Sequence, residues 1–245
     1  MRRPRLEAPW FGELPMFQRL AAVLEMTARE HCSGWDIAIS NVPVEALNAH
    51  AQANRGHIDN TQKMEQWNAI IQAARPGEHI LLIDADTFIV NSLDAIWDAK
   101  FDLAYTAKIS RFPFNSGVIA VRVSDAVKAF FTAWAEVNRR MLLDNNLHAP
   151  WRRTYGGINQ AAFGHMLKGE MAGTIEIEKL PCAIWNCEES AWEGFDPATT
   201  RIVHVKGAFR RALFDGSRED LARPGVRNLI GVWSALEERL NGQAA

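Results

Sequence analysis

Apolar positions recur along the chain with two distinct periods. Phe17, Leu20, Ala21, Leu24 and Ala28 follow helical spacing, so a helix is expected over 17–28. WDIAI, at 35–39, reads as a short strand. Met64, Trp67, Ile70 and Ile71 share one face of a helix expected over 62–74, and Arg75-Pro76-Gly77 stops it. Ile80 to Ile83 form an unbroken apolar run that ends abruptly at Asp84, the pattern of a parallel strand covered on both sides. FDLAYT (101–106) and GVIAV (117–121) are further strand candidates. Ser124 is placed to cap a helix whose buried face is Val127, Phe130, Phe131, Trp134 and Val137. A helix opening on two glycines is expected over 156–167, and TIEIEKL and RIVHV read as later strands. Val226, Leu229, Ile230, Trp233, Leu236 and Leu240 mark a final amphipathic helix, expected to pack against the sheet. Strands alternating with helices predict a single α/β domain over 1–245 with a mainly parallel sheet. In such sheets ligands sit at the carboxyl ends of strands, where Asp84 and Asp86 fall.

Composition narrows the class. Of 245 residues, 48% are apolar and 23% charged, which supports a buried core and opposes whole-chain disorder. Lys and Arg number 27 against 29 acids, a net charge of −2, so a general nucleic-acid binder is not expected. MRRPRLEAPWFGELP lacks the apolar core of a secretion signal, and no stretch has the roughly 20 apolar residues of a membrane span. Cys32, Cys182 and Cys187 do not match a zinc-binding spacing, and idle thiols in a reducing cytoplasm are expected.

Five segments carry candidate chemistry. Asp84 and Asp86, two residues apart at a strand end, point to one side, and a divalent cation would relieve their repulsion; an acidic turn is the plainer reading. His204 closes RIVHV and could complete a ligand set. Lys206 and Arg210 could then hold phosphate oxygens, while Gly207 lets backbone come close. Asn115, Ser116 and Gly117 precede a buried strand, where they suit a hydroxyl-rich ligand or an ordinary turn. Asn159 and Gln160 offer amides on a first helical turn after Gly156-Gly157. Trp185, Asn186 and Trp192 could stack on and bond to a sugar, although core packing is the commoner fate of tryptophan.

Taken in order, LLIDADTFIV, FNSGVIAV, GGINQAAF, LPCAIWN and IVHVKGAFR resemble the glycosyltransferases of the GT-A fold, and within them family 8, the glycogenin and bacterial galactosyltransferase group. The likeness runs from about Lys63 to Arg211. It implies a GT-A domain whose residues 1–110 form a nucleotide-binding half and 111–245 an acceptor half. It implies that Asp84, Asp86 and His204 bind Mn²⁺ or Mg²⁺, which grips the diphosphate of a UDP-sugar. By the same likeness Lys63, Asn115, Ser116, Gly117, Lys206, Gly207 and Arg210 contact the donor, and Asn159 and Gln160 lie at the reacting centre, with Gln160 beside the anomeric carbon. Transfer with retention of configuration is implied, to an acceptor left open among glycans, lipid-linked sugars and proteins. Trp185, Asn186 and Trp192 are expected on the acceptor side. Three departures stand out: arginine at 210 replaces the family's lysine, Asn159 replaces its aspartate, and no Pro-Trp follows. The first strand of the fold, which supports the nucleotide base, is expected to be absent or replaced irregularly by the N-terminal stretch. Two alternatives follow. One is an inactive nucleotide-sugar-binding relic. The other is a haloacid-dehalogenase-type phosphatase, against which stands Phe88 where a threonine or valine belongs.

Overall fold

The computed structural model describes residues 2–44 and 46–243. Its elements run β1 (Arg5–Phe11), α1 (Pro15–His31), β2 (Asp36–Val42), α2 (Arg55–Ala73), β3 (His79–Ile83), β4 (Thr87–Ile89), β5 (Leu103–Ala107), β6 (Phe114–Arg122), α3 (Asp125–Leu143), α4 (Asn145–Tyr155) and α5 (Ile158–Lys168). They continue with β7 (Ile177–Pro181), α6 (Cys182–Trp185), β8 (Ile202–His204), α7 (Gly207–Phe214), α8 (Arg218–Leu221) and α9 (Pro224–Gln243). Six strands form one sheet in the order β2-β1-β3-β6-β5-β7, and β4 pairs with β8 in a small antiparallel ribbon.

The first strand is present, contrary to expectation. β1 lies inside the sheet, parallel to β2 along its whole length and to β3 from Arg5 to Glu7. Proline inside a strand normally argues against a sheet interior, because it lacks an N–H for the ladder. Here the ladder to β3 ends at Glu7, so Pro9 sits where only β2 is a neighbour. Leu6 and Ala8 are fully buried.

The sheet is mainly parallel, with β6 the exception: it runs antiparallel to both β3 and β5. That reversal carries the beginning of β6, Asn115 to Gly117, to the carboxyl ends of β3 and β5. Side chains of β3 alternate between two cores. Ile80 and Leu82 face α2, α3 and α5 with Trp67, Phe130, Trp134 and Phe163, whereas Leu81 and Ile83 face α1. Both sheet faces are therefore covered, which is why the sequence shows a continuous apolar run rather than alternation.

A third apolar cluster joins α1, α7, α9 and the β4–β8 ribbon. The last helix packs there, with Trp233 6.1 Å from Phe88, and so covers the small ribbon rather than the main sheet. Ser124 caps α3 by accepting from the Val127 N–H, as its position implied. Helix α2 begins before the expected 62, at Arg55, because Asn54 and His57 form a reciprocal cap that the polar composition of 55–61 had concealed. Among the described residues, no helix is long and apolar enough to cross a membrane.

If β1 is an interior strand, Leu6→Ala removes a fully buried side chain and is expected to lower stability by about 2–5 kcal/mol. Urea unfolding measures this; a loss near zero would mean the N-terminal stretch is not a sheet element.

Candidate active site

The turn joining β3 to β4 is held at three points. The Asp84 N–H donates to the Gly117 carbonyl (2.8 Å), the Thr87 hydroxyl donates to the Asp84 carbonyl (2.8 Å), and the Val205 N–H donates to the Asp86 carbonyl (2.7 Å). Thr87 lies opposite His204 in the β4–β8 ladder, so the ribbon delivers the imidazole beside the two acids. His204 Nε2 is 3.1 Å from Asp86 Oδ1 and 3.7 Å from Asp84 Oδ2. Asp84, Asp86 and His204 each present one ligand atom, and these lie within 4.8 Å of one another.

Each carboxylate uses its other oxygen on a cation. Lys63 Nζ, from the middle of α2, is 2.6 Å from Asp84 Oδ1 and lies over the Trp67 ring at 4.7 Å. The Arg210 guanidinium, from α7, pairs with Asp86 Oδ2. Burial by itself raises the Asp86 carboxyl pKa, but His204, Arg210 and Lys63 together outweigh it. Asp86 is held far below the usual carboxylate range.

A buried amide relay sets the imidazole. The Gly117 N–H donates to Asn115 Oδ1 at 2.7 Å, so that oxygen is an acceptor. Asn186 Nδ2 therefore donates to it (3.1 Å), and also to the Thr106 hydroxyl (3.0 Å), whose own proton goes to the Asn115 carbonyl. Asn186 Oδ1 is left facing His204 Nδ1 at 3.0 Å. Asn186 Oδ1 thus accepts the proton on Nδ1 and leaves Nε2 as the ring atom toward the acids, the orientation in which a bound cation would replace the Nε2 proton. Gly117 forms the floor: a Cβ there would come within 2.8 Å of both Asp84 Oδ2 and His204 Cε1. Two carboxylate oxygens and one imidazole nitrogen, converging with no side chain between them, fit a divalent cation.

These groups open on a cleft of about 350 Å³ that brings together Lys63, Asp84, Asp86, Asn115, Ser116, Asn159, Gln160, His204, Lys206 and Arg210. Asn159 Nδ2 donates to Ser116 Oγ (3.0 Å). Gln160, which also lines the cleft, donates from Nε2 to the Tyr155 carbonyl (2.6 Å). Gly207, at φ +49°, opens α7, and a Cβ there would meet Glu189 Oε2 at 2.7 Å.

Trp185 and Trp192, expected on the acceptor side, are core residues. They are 8% and 1% exposed, sit in separate apolar clusters and do not line the cleft. Indole burial outweighs sugar stacking when the backbone places the ring inward. Asn186 is fully buried behind His204, so it orients the imidazole instead of meeting an acceptor.

Several participants were not singled out in the sequence. Glu188 is buried between Lys108 (2.8 Å) and Lys206 (3.3 Å). Burial raises its pKa, but the two lysines and the Ser190 hydroxyl lower it further, to about 2. The half-buried Trp10 and Phe11, at the carboxyl end of β1, and Phe17, on α1 with the Arg210 guanidinium 5.9 Å from its ring centre, also line the cleft. The signal for Trp10 and Phe11 in the sequence was an aromatic pair just before Gly12, and Phe17 was marked there only as a helix position. The cysteines are buried free thiols, and burial raises the pKa of Cys32 and Cys187 to about 12 and that of Cys182 to about 11.

No protein-family profile matches the chain, and no curated protein matches it in sequence. Solved structures do match. One is a glycosyltransferase involved in glycosylation of the major capsid of PBCV-1, at 13% identity and TM-score 0.55, covering 83% of this chain and 95% of that one. Another is the galactosyltransferase LgtC with donor and acceptor sugar analogs, at 11% identity and TM-score 0.54, covering 97% and 95%. A third is GlyE of Streptococcus pneumoniae TIGR4, at 11% and 0.54, covering 84% of this chain and 55% of that one. At these identities the likeness establishes the fold, the GT-A glycosyltransferase fold with its mainly parallel sheet.

Asn186→Leu keeps side-chain volume but removes the acceptor for the Nδ1 proton. It is expected to weaken divalent-cation binding at this set about 10–100-fold, read by electron paramagnetic resonance titration with Mn²⁺ as the probe; unchanged affinity would exclude the relay. For Glu188 the folded pKa is depressed from 4.5 to about 2. Its contribution is thus fully present above pH 4.5 and is lost as pH falls toward 2. Glu188→Gln should flatten the fall in unfolding free energy across that window, by up to about 3 kcal/mol.

Proposed function

We propose that this protein is a metal-dependent glycosyltransferase that moves a sugar from a nucleoside diphosphate donor, a UDP-sugar, to an acceptor with retention of anomeric configuration. The observation that carries this is the meeting of Asp84 Oδ2, Asp86 Oδ1 and His204 Nε2 at a cleft lined by Lys63, Lys206 and Arg210, in this fold.

Asp84, Asp86 and His204 would hold the cation, Mn²⁺ before Mg²⁺ because one ligand is an imidazole nitrogen. When bound, the cation supplies Lewis-acid neutralisation of diphosphate oxygens. The rest is the work of the chain. As the sugar–phosphate bond breaks, negative charge grows on the diphosphate and positive character on the anomeric carbon. Lys206 and Arg210 flank the cleft and accept that growing charge as fixed cations, which lowers the barrier without reorganisation. Arginine in place of lysine keeps the charge and adds a planar fork suited to phosphate. Its present partner, Asp86 Oδ2, is an anion of the kind a phosphate oxygen would replace. Trp10 and Phe11 offer flat apolar surface for the nucleobase, and the presence of β1 restores the support such a base requires. Ser116 and Asn159, bonded to each other, present polar edges to the donor sugar. Gln160 is the group nearest the role of shielding the anomeric centre. Its side-chain N–H is anchored on the Tyr155 carbonyl, which fixes the amide beside the cleft.

The GT-A fold removes support from the phosphatase alternative. One observation favours the relic: Asn159 cannot ionise, and its amide is engaged by Ser116. Turnover separates the two. Purified protein should be thermally stabilised by UDP only with Mn²⁺ present, and should slowly hydrolyse one or more UDP-sugars. Asp86→Ala should abolish both. Stabilisation without hydrolysis supports the relic, and unchanged turnover in Asp86→Ala rejects the metal role.

A further inference from the structure

Beside the donor cleft lies a second recess of about 500 Å³, and the two share Gly157 as a lining residue. Gly156 ties them further, since a Cβ there would stand 3.4 Å from both Gln160 Nε2 and the Phe112 ring. The recess is lined by three arginines, Arg111, Arg152 and Arg153, and by no acid. None of the three has an acidic partner among the described residues, so all three charges in the recess stand without a counter-ion of the chain. Arg152 and Arg153 stand in the last turn of α4, where a cation offsets the helix dipole, which accounts for their charge but not for their convergence with Arg111. Arg111 comes from a different element, the connection between β5 and β6, and its guanidinium lies 5.3 Å from the centre of the Phe112 ring. The N-terminus of α5, at Gly157, has no side-chain cap and adds partial positive charge at the same place. Like charges gathered without counter-ions destabilise a free protein, so the arrangement favours an anion from outside.

We infer that this recess receives the acceptor, and that the acceptor is an anionic sugar carrying phosphate or carboxylate. Phe112 supplies a half-buried ring for the sugar face and the three guanidiniums hold the charged group. The site's adjacency to Gln160 puts a bound sugar next to the proposed reacting centre. This rests on the transfer reading above, and the test keeps the two apart.

Ligand-observed NMR titrations of the full chain with glucose, glucuronate, glucose 6-phosphate and inorganic phosphate, at low and high salt, read the preference. At low salt the anionic sugars are expected to bind on the order of tenfold tighter than glucose, three exposed charge pairs being worth about that much together. High salt should shrink the gap. The triple variant R111Q/R152Q/R153Q should lose the preference. Its thermal midpoint checks that it is folded, since all three residues are exposed. Whichever of glucuronate and glucose 6-phosphate binds tighter identifies the charged group. Equal binding of the sugars, or a preference that survives in the variant, overturns the proposal. Inorganic phosphate matching glucose 6-phosphate overturns the part given to the sugar ring. An anionic preference in a wild-type protein that UDP and Mn²⁺ do not stabilise overturns the transfer reading, and the acceptor role falls with it.

Discussion

Two carboxylates at the end of a buried strand repel one another, and the surrounding architecture answers that charge. Asp84 and Asp86 each give one oxygen to a basic side chain, Lys63 or Arg210, and turn the other toward His204. Those bases come from helices on either side of the cleft, α2 and α7, and the imidazole from a ribbon outside the main sheet. Without these elements in place the acids would be an uncompensated pair in a half-buried turn, which is unfavourable in low dielectric. With them, the free oxygens and Nε2 form a preorganised set.

Preorganisation extends inward. Thr106, Asn115 and Asn186 come from three separate stretches of chain, and all three are buried. Their polar groups satisfy one another, which removes the desolvation penalty of placing amides in a core. The direction of the whole relay is decided at one end by a backbone N–H, that of Gly117, which cannot reverse. A second buried carboxylate, Glu188, anchors Lys206 and Lys108 in the same manner, so the cleft's cations are held in position by acids beneath them.

How much of this was legible differs by kind. Strong periodicity located α1, α3, α9 and β3, because tertiary context only reinforced what the pattern already demanded. Asp84, Asp86 and His204 were visible because abrupt polar residues ended apolar runs. β1 was not, since Pro9 breaks the pattern that would mark a strand, and only the ladder ending at Glu7 reconciles the two. Trp185 and Trp192 were misplaced on the acceptor side, because side-chain chemistry alone does not say whether a ring points inward. Arg111, Arg152 and Arg153 drew no attention, being scattered basic residues until α4 and the β5–β6 connection meet.

Residue order alone determined the class of fold, the covered strand and the acids that terminate it, because these follow from local patterns of burial and from chain direction. Tertiary structure decided what those acids face. The reversed course of β6, the pairing of β4 with β8 and the inward turn of Asn186 bring residues far apart in sequence within 3–4 Å of one another. Side-chain interactions of that range depend on distances that no linear spacing encodes, and for that reason the orientation of His204, the partners of each carboxylate oxygen and the arginine-lined recess became visible only in three dimensions.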